Sequence, residues 1–366
     1  MSVKLDGLTG QPRLLMEAAL KPIQGDRFQA TGFPDLGPAT YTLPDGTEML
    51  LVESAQSMAN RLEAVCWDDA ETDVAAPLKG LPYVRVDLGE FGETCSILEF
   101  HRLNSPYIWD SEDSGDRASA DFCARVRDAV GVSGRRRRRG SRKAEEDAAA
   151  SAGGGGSHPG PLDTRRLAQA ALRYDPNSLL HGLFLEKVDG RLRIPRLLSA
   201  FLEARGVRTA ESGGVKFDRV FPAGGVPGIA SQQGYTNVPF SRTEFTADSI
   251  TAYFNLDLAT LRGYGLGEVA ERMLVTLSLW KIRRFLDSGL RLRTACDLDC
   301  LNLKVTRPDG FEVPVSKDLN GAVRDAIAAC GQAGLFADPP VTRITWKAPK
   351  KAAARKGDAE GEPEEE

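Results

Sequence analysis

The chain has 366 residues, 42% apolar and 27% charged, which is typical of a soluble globular protein with one large or two modest domains. Its apolar stretches are interrupted well short of the roughly 20 residues that a membrane-spanning helix needs. The N-terminus is polar and lacks the apolar core of a signal peptide. We therefore expect a cytoplasmic protein that does not contact membranes.

The net charge of −4 is unusual for a free-standing nucleic-acid binder, but its distribution along the chain is uneven. Acidic residues concentrate in 358–366, after a basic run at 347–356, and we expect a disordered charged tail over 348–366. Residues 131–160 contain the run Arg135–Arg139 and four consecutive glycines but almost no large apolar residue. This composition predicts a disordered insertion, whose arginines either contact nucleic acid or are simply solvated.

The insertion divides the folded body into two halves, 1–130 and 161–347. In the first half, Leu14–Ile23 is predicted to be a buried strand. Apolar residues then recur at helical spacing from Ala55, with Ser54 as a plausible N-cap. Alternating patterns predict half-buried strands at Tyr83–Leu88 and Ile97–Leu103.

The second half is predicted to contain helices and strands in alternation. The helices are expected at Asp163–Leu172, Pro195–Arg205 and Gly267–Leu286. The strands are expected at Leu179–Val188, Ile250–Leu258, Leu290–Thr294, Leu301–Thr306, Phe311–Val315 and Thr342–Lys347. A Gly/Pro-rich span without periodicity covers Gly213–Arg242. The whole pattern is α+β with a largely antiparallel sheet.

Six scattered cysteines lie in or beside apolar patterns and are expected to be reduced, buried thiols. Only Cys296 and Cys300 are close together, and neither a histidine nor a second cysteine pair is near them. We therefore predict no metal site and no cofactor.

Four long blocks carry a family resemblance: residues 14–41, 51–67, 181–207 and 279–299. In their order and spacing they resemble the backbone subunit of type I-G (formerly I-U) CRISPR Cascade complexes. The resemblance spans nearly the whole chain outside the arginine-rich insertion. It implies the fold of the RAMP superfamily, which is an RRM-like (ferredoxin-like) core with inserted subdomains and a thumb-like hairpin.

The same resemblance implies a function in antiviral defence. Copies of such a subunit would stack head to tail on the spacer of the CRISPR guide RNA (crRNA), and a thumb from each copy would pry the RNA at regular intervals. Base pairing would then read the target DNA in an R-loop while the protein holds the RNA backbone. The implied partners are other Cascade subunits, namely a large subunit and a guide-processing and capping subunit, and a recruited helicase-nuclease.

The candidate RNA-binding residues rest on predicted exposure and charge. Ser54, Ser57 and Arg61 lie on one line of the predicted helix, where hydroxyls, a cation and helix N-terminal amides could face phosphates. The span Gly213–Arg242 is the thumb candidate, with Phe221, Gln232, Gln233 and Tyr235 as groups expected near the displaced nucleotide. The full set is Lys21, Gln24, Arg27, Ser54, Ser57, Asn60, Arg61, Gln232, Gln233, Tyr235, Arg283, Arg284, Arg291 and Arg293. Each has a structural alternative, since solvated helix faces and flexible loops also carry such residues.

Catalysis is not expected, because the chain lacks nucleotide-binding, zinc-protease and serine-hydrolase motifs. The alternative is a RAMP-type endoribonuclease acting on guide or target RNA. It would use His101 with a lysine, or Asp26 in the loop after the first strand. His158 lies in the insertion, and His181 is expected beside a strand. A protein-only scaffold is a third possibility, although the chain lacks long heptads and repeats.

Overall fold

The computed structural model describes residues 3–33, 37–132, 163–186, 188, 192–216 and 238–347. Several predictions lie outside these residues. They concern the insertion from residue 133 with Arg135–Arg139 and His158, the thumb residues Phe221, Gln232, Gln233 and Tyr235, and the tail from residue 348.

Fourteen strands of the described residues are labelled in chain order. They are β1 (Arg13–Pro22), β2 (Thr40–Thr42), β3 (Glu48–Glu53), β4 (Tyr83–Asp87), β5 (Glu93–Cys95), β6 (Leu183–Phe184), β7 (Arg193–Ile194), β8 (Leu198–Arg205), β9 (Arg208–Lys216), β10 (Val238–Thr246), β11 (Ser249–Asp257), β12 (Arg291–Arg293), β13 (Cys296–Arg307) and β14 (Val341–Thr345). Two-residue ladders also join Gly32–Phe33 to Gly37–Pro38 and Trp67–Asp68 to Asp73–Val74.

The helices of the described residues are α1 (Ala55–Ala64), α2 (Pro106–Trp109), α3 (Arg117–Ala129), α4 (Thr164–Tyr174), α5 (Pro176–His181), α6 (Leu258–Gly263), α7 (Glu268–Asp287) and α8 (Ser316–Gln332). Single 3₁₀ turns cover Asp6–Leu8, Ala76–Leu78, Gly89–Phe91, Arg102–Asn104 and Asp110–Ser114. Within the described residues, none of these helices is both long and apolar enough to cross a membrane.

The central sheet has seven strands in the order β12-β13-β1-β11-β8-β3-β2. Its middle, β13-β1-β11-β8, is antiparallel throughout. Along the chain these strands and two helices follow one another as β1-α1-β8-β11-α7-β13. The four strands therefore take the order fourth, first, third, second, which is the RRM-like, ferredoxin-like arrangement. The predicted α+β class and core are confirmed.

One face of this sheet forms the core. In β1 every second residue is buried, namely Leu14, Met16, Ala18 and Leu20, as period-2 alternation requires. Helix α1 packs against β8, and α7 packs against β13 and α1. The helices thus cover one face and leave the other face partly exposed.

Insertions lie at three places in the core. The pair β2–β3 extends the sheet beside β8. The stretch between α1 and β8 contains α2 to α5 and the strands β4 and β5, which form a small sheet with β14 in the order β14-β4-β5. The third insertion, between β8 and β11, is the antiparallel hairpin β9–β10. The thumb candidate Gly213–Arg242 starts and ends in this hairpin, and its central part lies outside the described residues.

The clearest error is the helix predicted at Pro195–Arg205, because Leu198–Arg205 is the strand β8. Leucine, alanine, glutamate and arginine favour helices. However, Leu198, Ala200, Leu202 and Ala204 are buried while Phe201 and Arg205 are exposed. This alternation, together with pairing to β11 and β3, overrides the helix propensity.

Three predicted strands are also wrong. Residues 97–103 form turns, because the amides of Leu98 and Glu99 donate to the Cys95 carbonyl; His101 accordingly lies in a turn. Residues 176–181 form α5, because Asp175 caps it by accepting from the Asn177 amide, and only Leu183–Phe184 is a strand. Residues 311–315 have no strand partner among the described residues, and Arg283 binds the carbonyls of Val313 and Pro314.

The remaining predicted elements are confirmed within a few residues. They are β1, α1 with its Ser54 cap, β4, α4 with its Asp163 cap, β11, α7, β12, β13 and the edge strand β14. Helices α3 and α8 were not predicted.

Candidate nucleic-acid interface

The N-terminus of α1 is fixed to the strand before it. Ser54 Oγ accepts from the Ser57 amide at 3.2 Å, so one of the free helix amides is already occupied. Gln56 is exposed, whereas Ser54, Ser57, Asn60 and Arg61 are half-buried. The face of α1 predicted to meet phosphate is thus open to solvent only in part.

A buried carboxylate organises this end of the sheet. Glu53, the last residue of β3, is 0% exposed. Its Oε1 accepts from Arg61 Nη2 at 2.8 Å and also from Arg293. Arg61 further donates to the Leu292 carbonyl, and Arg293 donates to the carbonyls of Gln29 and Val52 at 3.0 and 3.1 Å. Two cations from α1 and β12 are therefore held by one anion.

The same arrangement recurs at the base of the hairpin. Glu244 on β10 is 4% exposed and forms ion pairs with Arg27 at 3.5 Å and with Arg242 at 2.6 Å. Phe28 and Phe245 exchange both backbone hydrogen bonds, at 2.9 and 2.8 Å, and so tie the loop after β1 to the hairpin. Arg27 and Arg242 remain 55% and 28% exposed.

The two clusters are neighbours, because Arg27 belongs to one and the carbonyl of Gln29, two residues later, belongs to the other. We call Arg27, Arg61, Arg242 and Arg293 the four-arginine surface. Four guanidinium groups meet two carboxylates, Glu53 and Glu244, so two positive charges stay uncompensated within these clusters. Partly exposed, immobilised guanidinium groups of this kind suit bidentate binding of phosphate.

A cleft of about 530 Å³ opens beside this surface. Its walls are the loop after β1, the hairpin and the turn between β12 and β13, including Gln24, Asp26, Ser212 and Asp297. Burial raises the pKa of the Cys296 thiol at this turn to about 11, so the thiol stays protonated. The cleft has polar walls.

The other predicted residues lie around or away from this surface. Lys21 and Gln24 are exposed, and Lys21 pairs across the ladder with Asp299. Arg291 is 80% exposed and 3.8 Å from Asp297. Arg284 is exposed on α7, while Arg283 binds the carbonyls of Val313 and Pro314. The geometry therefore gives Arg283 a structural contact.

Sequence reasoning did not single out Arg242 or the two glutamates. Arg242 was named only as the end of the Gly/Pro-rich span. Nothing in the local sequence marks Glu53 or Glu244 as buried, because the partners of Glu53 include Arg293, which is 240 residues away. Only the tertiary structure, in which β3 pairs with β8 and β10 pairs with β9, brings these groups together.

The groups considered for catalysis lie at two places, with Asp26 at one cleft and the two histidines at another. Asp26 is exposed in the cleft beside the hairpin, His101 lies in the turn before Arg102–Asn104, and His181 is buried at the end of α5. In the part of the chain that the structure describes, no three His, Cys, Asp or Glu side chains are grouped so that they could hold a metal ion.

A family model described as CRISPR-associated protein GSU0053 (Cas_GSU0053) matches residues 14–209, which is more than half of the chain. The matched stretch contains β1, α1, β8 and both Glu53 and Arg61. The chain belongs to this CRISPR-associated family. Among curated proteins, none matches it in sequence.

Three solved structures are similar to this CRISPR-associated chain. A CRISPR RNA-guided surveillance complex, pre-nicking, has a chain with 15% identity and a TM-score of 0.42, covering 85% of this chain and 82% of that one. A second CRISPR RNA-guided surveillance complex has 14% identity and a TM-score of 0.31, covering 75% and 71%. Csc2 of Thermofilum pendens has 10% identity and a TM-score of 0.29, covering 90% and 79%.

The shared carboxylate of Glu53 leads to a stability prediction. We expect Glu53→Gln to lower the free energy of unfolding by about 2–3 kcal/mol, because it leaves two guanidinium groups without a counter-charge; their partial exposure keeps the loss below that of a fully buried pair. Urea unfolding measures it. Asp297→Asn, which removes the exposed pair with Arg291, is the control and should change stability by less than about 1 kcal/mol. Equal effects of the two substitutions would contradict the organising role of Glu53.

Proposed function

We propose that this chain is a non-catalytic subunit that binds guide RNA in a CRISPR surveillance complex. The observation that carries the proposal is the four-arginine surface, which joins α1 of an RRM-like core to a hairpin inserted between the second and third strands of that core. Membership of a CRISPR-associated family supports the same reading.

The contacts suit the RNA backbone rather than its bases. Fixed guanidinium groups bind phosphate oxygens, which position a protein without reading sequence. Guide-RNA bases would then stay free to pair with target DNA in an R-loop, so that base pairing supplies the specificity.

Several copies would lie head to tail along the spacer of the crRNA. The hairpin β9–β10, which emerges at the four-arginine surface, would act as the thumb that separates stretches of RNA. Large, guide-processing and capping subunits would complete the complex, and a helicase-nuclease would be recruited to it. Type I-G remains the proposed subtype.

The filament part of this proposal is tested by nuclease protection. When the chain is coexpressed with a CRISPR array and its partner subunits, we expect the copurified spacer RNA to give a regular ladder of protected fragments, with several protein copies per RNA. One copy on a short site, or filaments that survive removal of RNA, would overturn it.

The arginines are tested by salt dependence. Arg61→Gln leaves Glu53 paired with Arg293, so the fold should persist. We expect binding of single-stranded RNA to weaken about tenfold, since one charged hydrogen bond contributes about 1.5 kcal/mol, and the slope of log affinity against log salt to fall by about 0.7. Arg117→Gln on α3, whose side chain is 95% exposed, is the matched control and should change neither quantity.

The absence of catalysis is tested directly with purified protein. We expect labelled guide and target RNA to stay intact with and without divalent cations, because Asp26 lies apart from the two histidines. Divalent-dependent cleavage that disappears in Asp26→Ala would instead support the endoribonuclease alternative.

A further inference from the structure

A second cavity, of about 840 Å³, includes Gln56 of the first turn of α1 in its wall. Its wall is built from the turn before Arg102–Asn104, the end of α5, the strands β6 and β7 and the residues before β8. It is joined to α1 by Arg196, which donates to Gln56 Oε1. Its volume is in the range of about 300–1,000 Å³ that small-ligand sites occupy.

The charge in this cavity is unevenly matched. Arg102 is neutralised by Glu63, which accepts two hydrogen bonds from it at 2.6 Å each. Arg196 instead binds neutral acceptors, namely Gln56 Oε1 and the His181 carbonyl at 3.3 Å. Among the described residues no carboxylate lies within ion-pairing distance of Arg196. Burial lowers the pKa of the Arg196 guanidinium, and the positive charge of Arg102 lowers it further. An anionic ligand would supply the counter-charge that Arg196 lacks.

The cavity also has aromatic walls. Phe100 lines the cavity and is 67% exposed, so its ring is accessible to a ligand. Phe184 is covered by the Arg193 guanidinium, whose carbon is 4.3 Å from the ring centroid. Exposed rings next to guanidinium groups are the combination that holds unstacked bases in single-stranded nucleic acid.

His181 supplies a third, independent feature of the wall. It is 1% exposed, and its Nε2 lies 2.8 Å from Nζ of the buried Lys281. Burial and the charge of Lys281 lower the pKa of His181 well below its usual value, so the ring is neutral. Since a lysine ammonium only donates, Nε2 accepts and the ring proton resides on Nδ1, which has no partner among the described residues.

We propose that this cavity binds one unstacked nucleotide of single-stranded RNA, with a phosphate at Arg196 and the base against Phe100. The proposal rests on the proposed function, because RNA would reach the cavity along α1 from the four-arginine surface. An acidic peptide from another protein chain is the competing occupant. It would use Arg196 but would gain little from an exposed phenylalanine.

The test is photocrosslinking of the full chain to a single-stranded RNA that contains 5-iodouridine, followed by peptide mapping. We expect a crosslink in the peptide that contains Phe100, and at least a tenfold lower yield there in Phe100→Ala. The matched control is Phe91→Ala, because Phe91 is 62% exposed on a separate 3₁₀ turn and should leave the yield unchanged. Arg196→Gln should reduce the same crosslink about tenfold.

The outcomes separate the two proposals. RNA binding that depends on Arg61 but gives no crosslink in the cavity, or a crosslink insensitive to Phe100→Ala, overturns the nucleotide site and leaves the proposed function intact. Loss of association between protein chains in Arg196→Gln, with the crosslink unchanged, identifies an acidic peptide as the occupant and also overturns the nucleotide site. No RNA binding at all overturns both. Because Phe100 is exposed, its alanine variant should fold normally, and thermal unfolding checks this.

Discussion

The sharing of one buried carboxylate by two arginines is the interaction on which this end of the molecule depends. Glu53 joins β3, α1 and β12, and Glu244 joins the hairpin to the loop after β1. A one-to-one pair would leave each site neutral, while unpaired arginines would be free to move in solvent. Two cations on one anion give both a fixed position and a residual positive charge. The fold therefore holds these arginines in position before any ligand binds.

The core could be predicted from sequence where one periodicity dominates. The strand β11 alternates cleanly and α7 repeats at helical spacing, so both were found. In β8, by contrast, the residue types from Leu198 to Arg205 favour a helix, while their apolar and polar side chains alternate as in a strand. Only pairing with the neighbouring strands decides between the two structures. The small sheet was predicted in part. The sequences of β14 and β4 have the pattern of strands, but the turn at 97–103 has an alternating pattern too and was wrongly predicted as a strand.

The candidate site was predictable only as separate pieces. Arg27, Arg61 and Arg293 were each recognised as cations on exposed elements, but the glutamates that hold them were not. A buried glutamate has no local signature, since its partners come from distant parts of the chain. The cavity at Arg196 was missed because the segment before β8 was read as a helix. His181 was recognised as a residue of interest but was expected beside a strand.

The small sheet constrains the order in which the parts of the chain can fold. Strand β14, at 341–345, pairs in parallel with β4, at 83–87, and Ser119 Oγ bonds the backbone of Thr345 at 2.9 and 3.1 Å. During synthesis, one edge of β4 therefore waits until almost the whole described chain has been made. Such a nonlocal contact slows folding and leaves an unpaired strand edge exposed in the meantime. The edge of β4 thus stays open to wrong pairing until residues 341–345 have left the ribosome and can pair with it.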